Sequence, residues 1–134
     1  TYVDTGLFAI YAGTTPTNSQ EVVECILAEI LDIKRNGITA AELERTKSQI
    51  KGGLYLGLES ANSRMSRLGK TELTYNRVIS PEEVVEKLEQ VTIEDVQRVV
   101  NQLFTRDRIS LLMLGPAGNE VDVEATLAKI GWTD

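Results

Sequence analysis

Two apolar runs, Leu7–Ala12 and Ile109–Leu114, the second broken only by Ser110, stand far apart in this 134-residue chain, and most of the sequence between them has helical period. Gly6 and Gly13 bracket the first run, and Gly115-Pro116 ends the second. Short apolar runs between turn residues predict buried strands. Two strands do not make a stable sheet, and continuous apolar character implies cover on both faces or central positions in a wider sheet. Tyr2-Val3 before Asp4-Thr5-Gly6 reads as the tail of an earlier strand turning into the first run. The hairpin so formed would lack nearly all of its first arm. The expected fold class is therefore α+β: a mainly antiparallel sheet packed by helices, in one domain over residues 1–134, truncated on its N-terminal side.

The helical tract divides by its caps. Thr14–Thr17 is a polar loop. Thr17 and Gln20 have capping-box spacing, as do Asn18 and Glu21 less cleanly. Val22, Ile26, Ile30 and Ile33 then form a stripe with Val23 and Leu27 beside it, closed by Asn36-Gly37. Thr39-Ala40-Ala41-Glu42 is a second capping box opening the longest element, in which Leu43, Ile50, Leu54, Leu58, Ala61, Met65 and Leu68 keep one face. Gly52, Gly53 and Gly57 interrupt it, each at a cost of roughly 1 kcal/mol against Ala. Packing has to offset that cost, so the face is expected to be buried against a close neighbour; a kink at Gly52-Gly53 is the alternative. Gly69 ends or bends this helix, and Thr71–Arg77 adds another turn or two. Ser80-Pro81-Glu82-Glu83 starts a short helix carrying Val84, Val85 and Leu88. Thr92-Ile93-Glu94-Asp95 starts the next, with Val96, Val99, Val100 and Leu103 as its core face. A terminal helix is expected within Val121–Ile130.

Composition excludes more chemistry than it suggests. The chain contains no histidine. It therefore offers no His-Glu zinc peptidase site, no Ser-His-Asp or Cys-His nucleophile and no ordinary near-neutral acid/base group. Acidic residues outnumber basic ones 20 to 14, for a net charge of −6. That balance disfavours nonspecific nucleic-acid or anionic-membrane binding, which needs clustered Lys and Arg. No run is long enough to span a bilayer, and the start carries no signal-peptide pattern, although a targeting segment upstream of Thr1 is not excluded. One cysteine fits a reducing compartment, and cytoplasmic localisation is the expectation.

No residue qualifies as catalytic and none as a metal ligand. Glu21, Glu24 and Glu29 on the first helix, and Glu42 and Glu44 on the second, read as solvated faces. Cys25 lies close to the first apolar stripe and reads as a buried, inert thiol without a base partner. Tyr11, Tyr55 and Tyr75 read as amphipathic packing residues. Arg64, Arg67, Lys70 and Arg77 make a local basic run. Arg64 and Arg67, three apart on one helix, are the candidate substrate-binding residues for an anionic or carbonyl-rich partner; pairing with Glu59 and Glu72 is the alternative. No interleaved aromatics support nucleic-acid stacking.

Several tracts resemble one known family. Thr5-Gly6-Leu7-Phe8-Ala9-Ile10-Tyr11-Ala12-Gly13-Thr14 resembles the second arm of a hairpin in the insulinase-like zinc peptidases, which include pitrilysin and the mitochondrial processing peptidase. Ile38–Lys47 looks like their T-x-x-E-L-x-x-x-K segment. Leu58-Glu59-Ser60 through Arg64 to Leu68-Gly69, the Ser80–Phe104 stretch with its Val91–Val96 tract, and the ending Leu114-Gly115-Pro116 match in order and spacing. The resemblance covers most of the chain and implies two-half proteins enclosing a chamber. One half carries a His-x-x-Glu-His zinc motif with a distal Glu ligand. The other supplies an Arg and a Tyr that hold substrate near a zinc-bound water. None of these residues maps onto this chain, and Tyr2 is not that tyrosine. The resemblance thus implies a C-terminal, non-zinc domain: no cofactor in this chain, zinc in the parent protein, and a zinc-bearing N-terminal half or homologous subunit as partner. It also implies a peptide substrate. An inactive partner subunit of the same family is the first alternative. An unrelated small α+β ligand-sensing or dimerisation module is the second. An unpaired strand edge at Leu7–Ala12 would favour self-association.

Overall fold

The computed structural model describes residues 5–116 and 121–132. Among these described residues there are six α-helices: α1 (Ser19–Asn36), α2 (Ala40–Gly57), α3 (Ala61–Tyr75), α4 (Pro81–Glu89), α5 (Ile93–Leu103) and α6 (Val123–Lys129), with 3-10 turns at Pro16–Asn18 and Arg106–Arg108. No strand occurs among the described residues. The chain is therefore all-helical, and the α+β expectation with its antiparallel sheet is corrected. Leu7–Ala12 and Ile109–Leu114 carry no ladder. Tyr11 is 96% exposed and Leu112 93%. Phe8 alone in the first run makes a ring contact, edge-on to Phe104 at 5.2 Å. The physical reason is that a strand's apolar composition describes a fit to neighbours, not a backbone preference that survives without them. With no strand there is no strand edge, and self-association through one loses its basis. Tyr2-Val3 and Asp4 of the expected hairpin lie outside the described residues, as does the Ala117-Gly118 end of the second turn.

Two compact units make up the fold, Thr1–Gly6 with Ile38–Val96, and Leu7–Gly37 with Gln97–Asp134. The second unit holds an apolar core of Leu27 and Leu31 from α1, Leu127 from α6, and Trp132, flanked by Val23, Ile30, Phe104, Ile109, Val123 and Ile130. The buried line of α1 therefore runs through Leu27 and Leu31, one position round from the expected Val22–Ile33 stripe. Cys25 precedes Leu27 by two residues, about 200° round the helix. That rotation places it on the solvent side, and it is exposed rather than buried. Nor does the Thr17–Gln20 capping box form. The Gln20 amide donates instead to Thr126 Oγ1 at 2.9 Å and to Glu24 at 2.8 Å.

Gly131 seats Trp132 in this core. Its N–H donates to the Ala128 carbonyl and the Trp132 N–H to the Leu127 carbonyl. This is the Schellman pairing, with Gly131 at φ +75° as the residue of positive φ that closes it. The hydrophobic contact that accompanies the motif is Trp132 on Leu127, which are 3% and 1% exposed. Lys34 secures the opposite side: its ammonium lies 5.2 Å from the centre of the Trp132 ring and donates to the Phe104 carbonyl at 3.0 Å.

The first unit is built from caps and ties. Thr39 and Glu42 form a complete capping box, with reciprocal bonds of 3.2 and 2.8 Å. Ser80 caps the Glu83 N–H at 3.1 Å behind Pro81, and Thr92 and Asp95 exchange bonds of 3.2 Å. Its one buried residue among those described is a lysine: Lys47 on α2 is 6% exposed. Its ammonium donates to the Glu89 carbonyl at the last residue of α4, at 3.0 Å, and lies 3.3 Å from Glu44. A cation there satisfies a terminal carbonyl and complements the helix dipole. Lys51, one turn on, pairs with the Glu89 side chain. Arg77 grips Glu83 with two bonds of 2.7 and 2.6 Å, and Lys87 adds a third at 2.9 Å.

The long apolar stripe does not form one helix. α2 runs through Gly52-Gly53 and stops at Gly57, and Ser60 caps α3 by accepting from the Ser63 N–H. α3 passes through Gly69 and ends at Asn76, whose φ of 52° is left-handed. The glycine face expected to be buried is open: a Cβ at Gly52, Gly53 or Gly57 would meet nothing within 4 Å.

Three outcomes follow for thermal and urea unfolding. Gly52→Ala and Gly53→Ala should each stabilise by about 0.5–1 kcal/mol, whereas Gly131→Ala should destabilise by about 1 kcal/mol or more because only the latter position holds a positive φ. Lys47→Met should cost about 1 kcal/mol, the ordinary net value of a hydrogen bond, since the Glu89 carbonyl at the exposed end of α4 can turn to water when the donor is lost. The Arg77 and Lys87 bonds hold the Glu83 carboxyl down at about 2 from the usual 4.5. A carboxyl whose folded value is depressed adds stability above its unfolded value and loses it as pH falls toward the folded one. The wild type should therefore lose stability between about pH 4.5 and pH 2 more steeply than Glu83→Gln, measured by denaturant midpoint at each pH.

Candidate functional site

The two candidate substrate-binding residues both stand on α3, but their surroundings differ. The residues of α3 that are partly buried are Arg67, Thr71 and Thr74, at spacings of four and three. Arg67 thus lies on the packed side, and its guanidinium donates to the Ile79 carbonyl at 3.3 Å. That bond is possible because left-handed Asn76 reverses the chain after α3. Arg64 is exposed, and among the described residues its side chain has no hydrogen-bond or ion-pair partner. Pairing of either arginine with Glu59 or Glu72, the alternative reading, is not what the side chains do. Lys70 is exposed, and Arg77 is engaged by Glu83. Of the four basic residues, Arg64 and Lys70 remain open to a partner.

The carboxylates are mostly taken up by the fold. Glu24 accepts from Lys129 at 2.7 and 2.8 Å and from Gln20, and these bonds, the lysine's first, lower its pKa. Glu42 is lowered by the backbone and side-chain bonds from Thr39. Glu44 faces Lys47, and Glu89 is lowered chiefly by its bond from Lys51. Among the described residues no group of three or more His, Cys, Asp or Glu could hold a metal ion. With no histidine in the sequence, the donor set here does not fit a zinc peptidase centre. No helix among the described residues is long and apolar enough to cross a membrane.

The residue with the strongest signal that sequence reasoning did not single out is Lys47. It is the lysine of the T-x-x-E-L-x-x-x-K tract, spaced to follow the Thr39–Glu42 box by a turn and a half. Its burial against a helix end marks it as a tie between α2 and α4, not as a group presented to substrate.

Comparison with known proteins matches these features to one family. Residues 1–50 match the sequence profile described as the Peptidase M16 inactive domain. The chain is 42% identical over 118 residues to an uncharacterized zinc protease, YmxG, of Bacillus subtilis, covering 88% of this chain and 29% of that protein. It is 33% identical over 116 residues to the mitochondrial-processing peptidase subunit beta of Saccharomyces cerevisiae, covering 85% and 25%. It is 28% identical over 130 residues to the alpha-2 subunit of that peptidase in Dictyostelium discoideum, covering 97% and 28%. The chain thus spans less than a third of the length of the curated relatives it matches. These relatives are named as a zinc protease and as processing-peptidase subunits, and the profile that residues 1–50 fit is that of an inactive domain. The chain belongs to the insulinase-like M16 family, as sequence of that family's C-terminal, inactive domain.

Proposed function

We propose that this chain serves as part of the C-terminal, non-zinc half of an insulinase-like metalloendopeptidase, walling the proteolytic chamber and supporting peptide docking. The observation that carries the reading is the 42% identity to a named zinc protease across 88% of the chain, joined to a match with an inactive domain. Zinc and the general base would come from a zinc-bearing half of the same protein or from a homologous subunit. Arg64 is the residue assigned to the peptide: an exposed guanidinium without a partner among the described residues can donate to a carbonyl or carboxylate. Arg67 is assigned a smaller part in the same docking, because it lies on the packed side of α3 and already serves Ile79. A lone thiol suits a reducing compartment, and the cytoplasm is the proposed location.

A second reading has its own support. Relatives named as alpha and beta subunits of one peptidase both match this chain. The chain could then belong to a partner subunit that assembles with a zinc-bearing homologue and does no chemistry itself. A His-x-x-Glu-His tract in the same polypeptide favours the first reading, and its absence the second.

The purified chain is expected to hold no stoichiometric zinc and to cleave no peptide. A zinc-to-chain ratio near one by atomic absorption, or peptide cleavage abolished by a chelator, would contradict the assignment. In the intact peptidase, Arg64→Ala should raise KM by about three- to tenfold with kcat little changed. An unaltered KM would remove Arg64 from the docking surface.

A further inference from the structure

Asn36-Gly37 is the one place in the sequence where glycine follows asparagine. Asparagine is thermolabile, and this neighbour makes it more so. The Gly37 nitrogen, once stripped of its proton, can attack the side-chain carbonyl carbon of Asn36. A five-membered imide forms, and the side-chain nitrogen takes up protons and leaves as ammonia. Water then opens the imide at either carbonyl, so one water is consumed for one ammonia released. The product is aspartate, or isoaspartate with the backbone rerouted through the side chain. A side chain on the attacking residue hinders the approach, and glycine has none.

The fold requires that glycine. Gly37 closes α1 at φ +71°, and Gln97 Oε1 stands 3.0 Å from where a Cβ would lie. The residue that stops the helix is thus the residue that opens Asn36 to attack. The same helix end keeps both reacting groups occupied. The Gly37 N–H donates to the Ile33 carbonyl at 2.9 Å. Asn36 Nδ2 donates to Asp32 Oδ1 at 2.6 Å. Gln97 Nε2 donates to the Lys34 carbonyl at 3.1 Å and so secures the last turn from α5. Asn36 is the last residue of α1. Ring closure needs its Cα–C bond to rotate out of the helical setting, and that rotation pulls the Gly37 N–H off Ile33.

We propose that Asn36-Gly37 is a spontaneous deamidation site gated by the C-terminal turn of α1, silent while the turn is closed and reacting when it opens. Water is the only co-reactant. The product opposes reclosure. Either form puts a carboxylate one turn from Asp32, where like charges repel, and at the negative end of the helix dipole. Isoaspartate also adds a methylene to the backbone ahead of Gly37, which displaces the N–H that Ile33 accepts. The site therefore accumulates a record of the time α1 has spent open, and each event favours further opening. Every contact involved lies within residues 32–37 and Gln97, so the inference does not depend on the peptidase reading or on what covers other faces of the chain.

Timed incubation of the 134-residue chain just above neutral pH tests it, with the conversion of each asparagine read by mass spectrometry of acid-protease peptides. Acid digestion suppresses deamidation during handling, and chromatography separates the two products. In guanidinium chloride Asn36 should convert faster than Asn18, Asn62, Asn76 or Asn101. In the native chain it should convert at least about tenfold more slowly than in the unfolded one. Asp32→Ala and Gln97→Ala should each speed the native conversion by about threefold, and each should leave the unfolded rate within about twofold of the wild type. Asn36→Asp should lower the denaturant midpoint. Equal native and unfolded rates would overturn the proposal. So would a native rate that neither variant raises, or an Asn36→Asp chain as stable as the wild type. If either variant loses helix by circular dichroism, the wild-type comparison and Asn36→Asp decide.

Discussion

Within each of the two units, a lysine ammonium bonds a backbone carbonyl at or just past the end of a helix. In the first unit Lys47 is the one buried residue among those described, and it bonds the terminal carbonyl of α4. In the second, Lys34 bonds the Phe104 carbonyl just past α5 and lies over the Trp132 ring. Each tie supplies a donor where a helix has run out of its own and places positive charge at the negative end of the helix dipole. The second unit adds a small apolar core to this arrangement. The first has no fully buried apolar side chain among its described residues, so its helices depend on Lys47, the Lys51–Glu89 pair and the Arg77–Glu83–Lys87 cluster. Ion pairs between exposed groups contribute little each. The buried lysine therefore matters more than the number of surface bridges.

The sequence disclosed the features that depend on a few neighbouring residues. The Thr39–Glu42 box, the Ser80-Pro81 start, the Thr92–Asp95 start and the Gly37 stop are each decided within one turn of helix, and each is present. Features decided by distant partners were not legible. Leu7–Ala12 has the composition of a strand, but a ladder needs a second segment at hydrogen-bond distance, and no local pattern provides one. The stripe from Leu43 to Leu68 keeps perfect helical register, yet Gly57 and the Ser60 cap cut it in two. Cys25 shows the same limit on a smaller scale: one residue of rotation in the buried line of α1 moved the thiol to solvent. At the candidate site, the three-residue spacing of Arg64 and Arg67 was readable. The difference between them was not, because the bond from Arg67 to Ile79 depends on how Asn76 turns the chain.

The tracts that carry the family resemblance have an explanation in this geometry. In the T-x-x-E-L-x-x-x-K tract, Thr39 and Glu42 cap α2, and Lys47 ties it to α4. In the Glu59-Ser60 tract, Ser60 caps α3, and Arg67 bonds the returning chain at Ile79. In the Val91–Val96 tract, Thr92 and Asp95 cap α5. Nearly every polar residue that made these tracts recognisable ends a helix or joins two of them. Similarity in this part of the sequence therefore reports how helices start, stop and attach, and it is silent about whether a metal is held elsewhere. A chain without histidine can for that reason be 42% identical to a protein named as a zinc protease. Arg64, like Glu59 and Glu94 in the same tracts, has a side chain that ends no helix and joins none among the described residues, and the role proposed for it lies outside the packing of these helices.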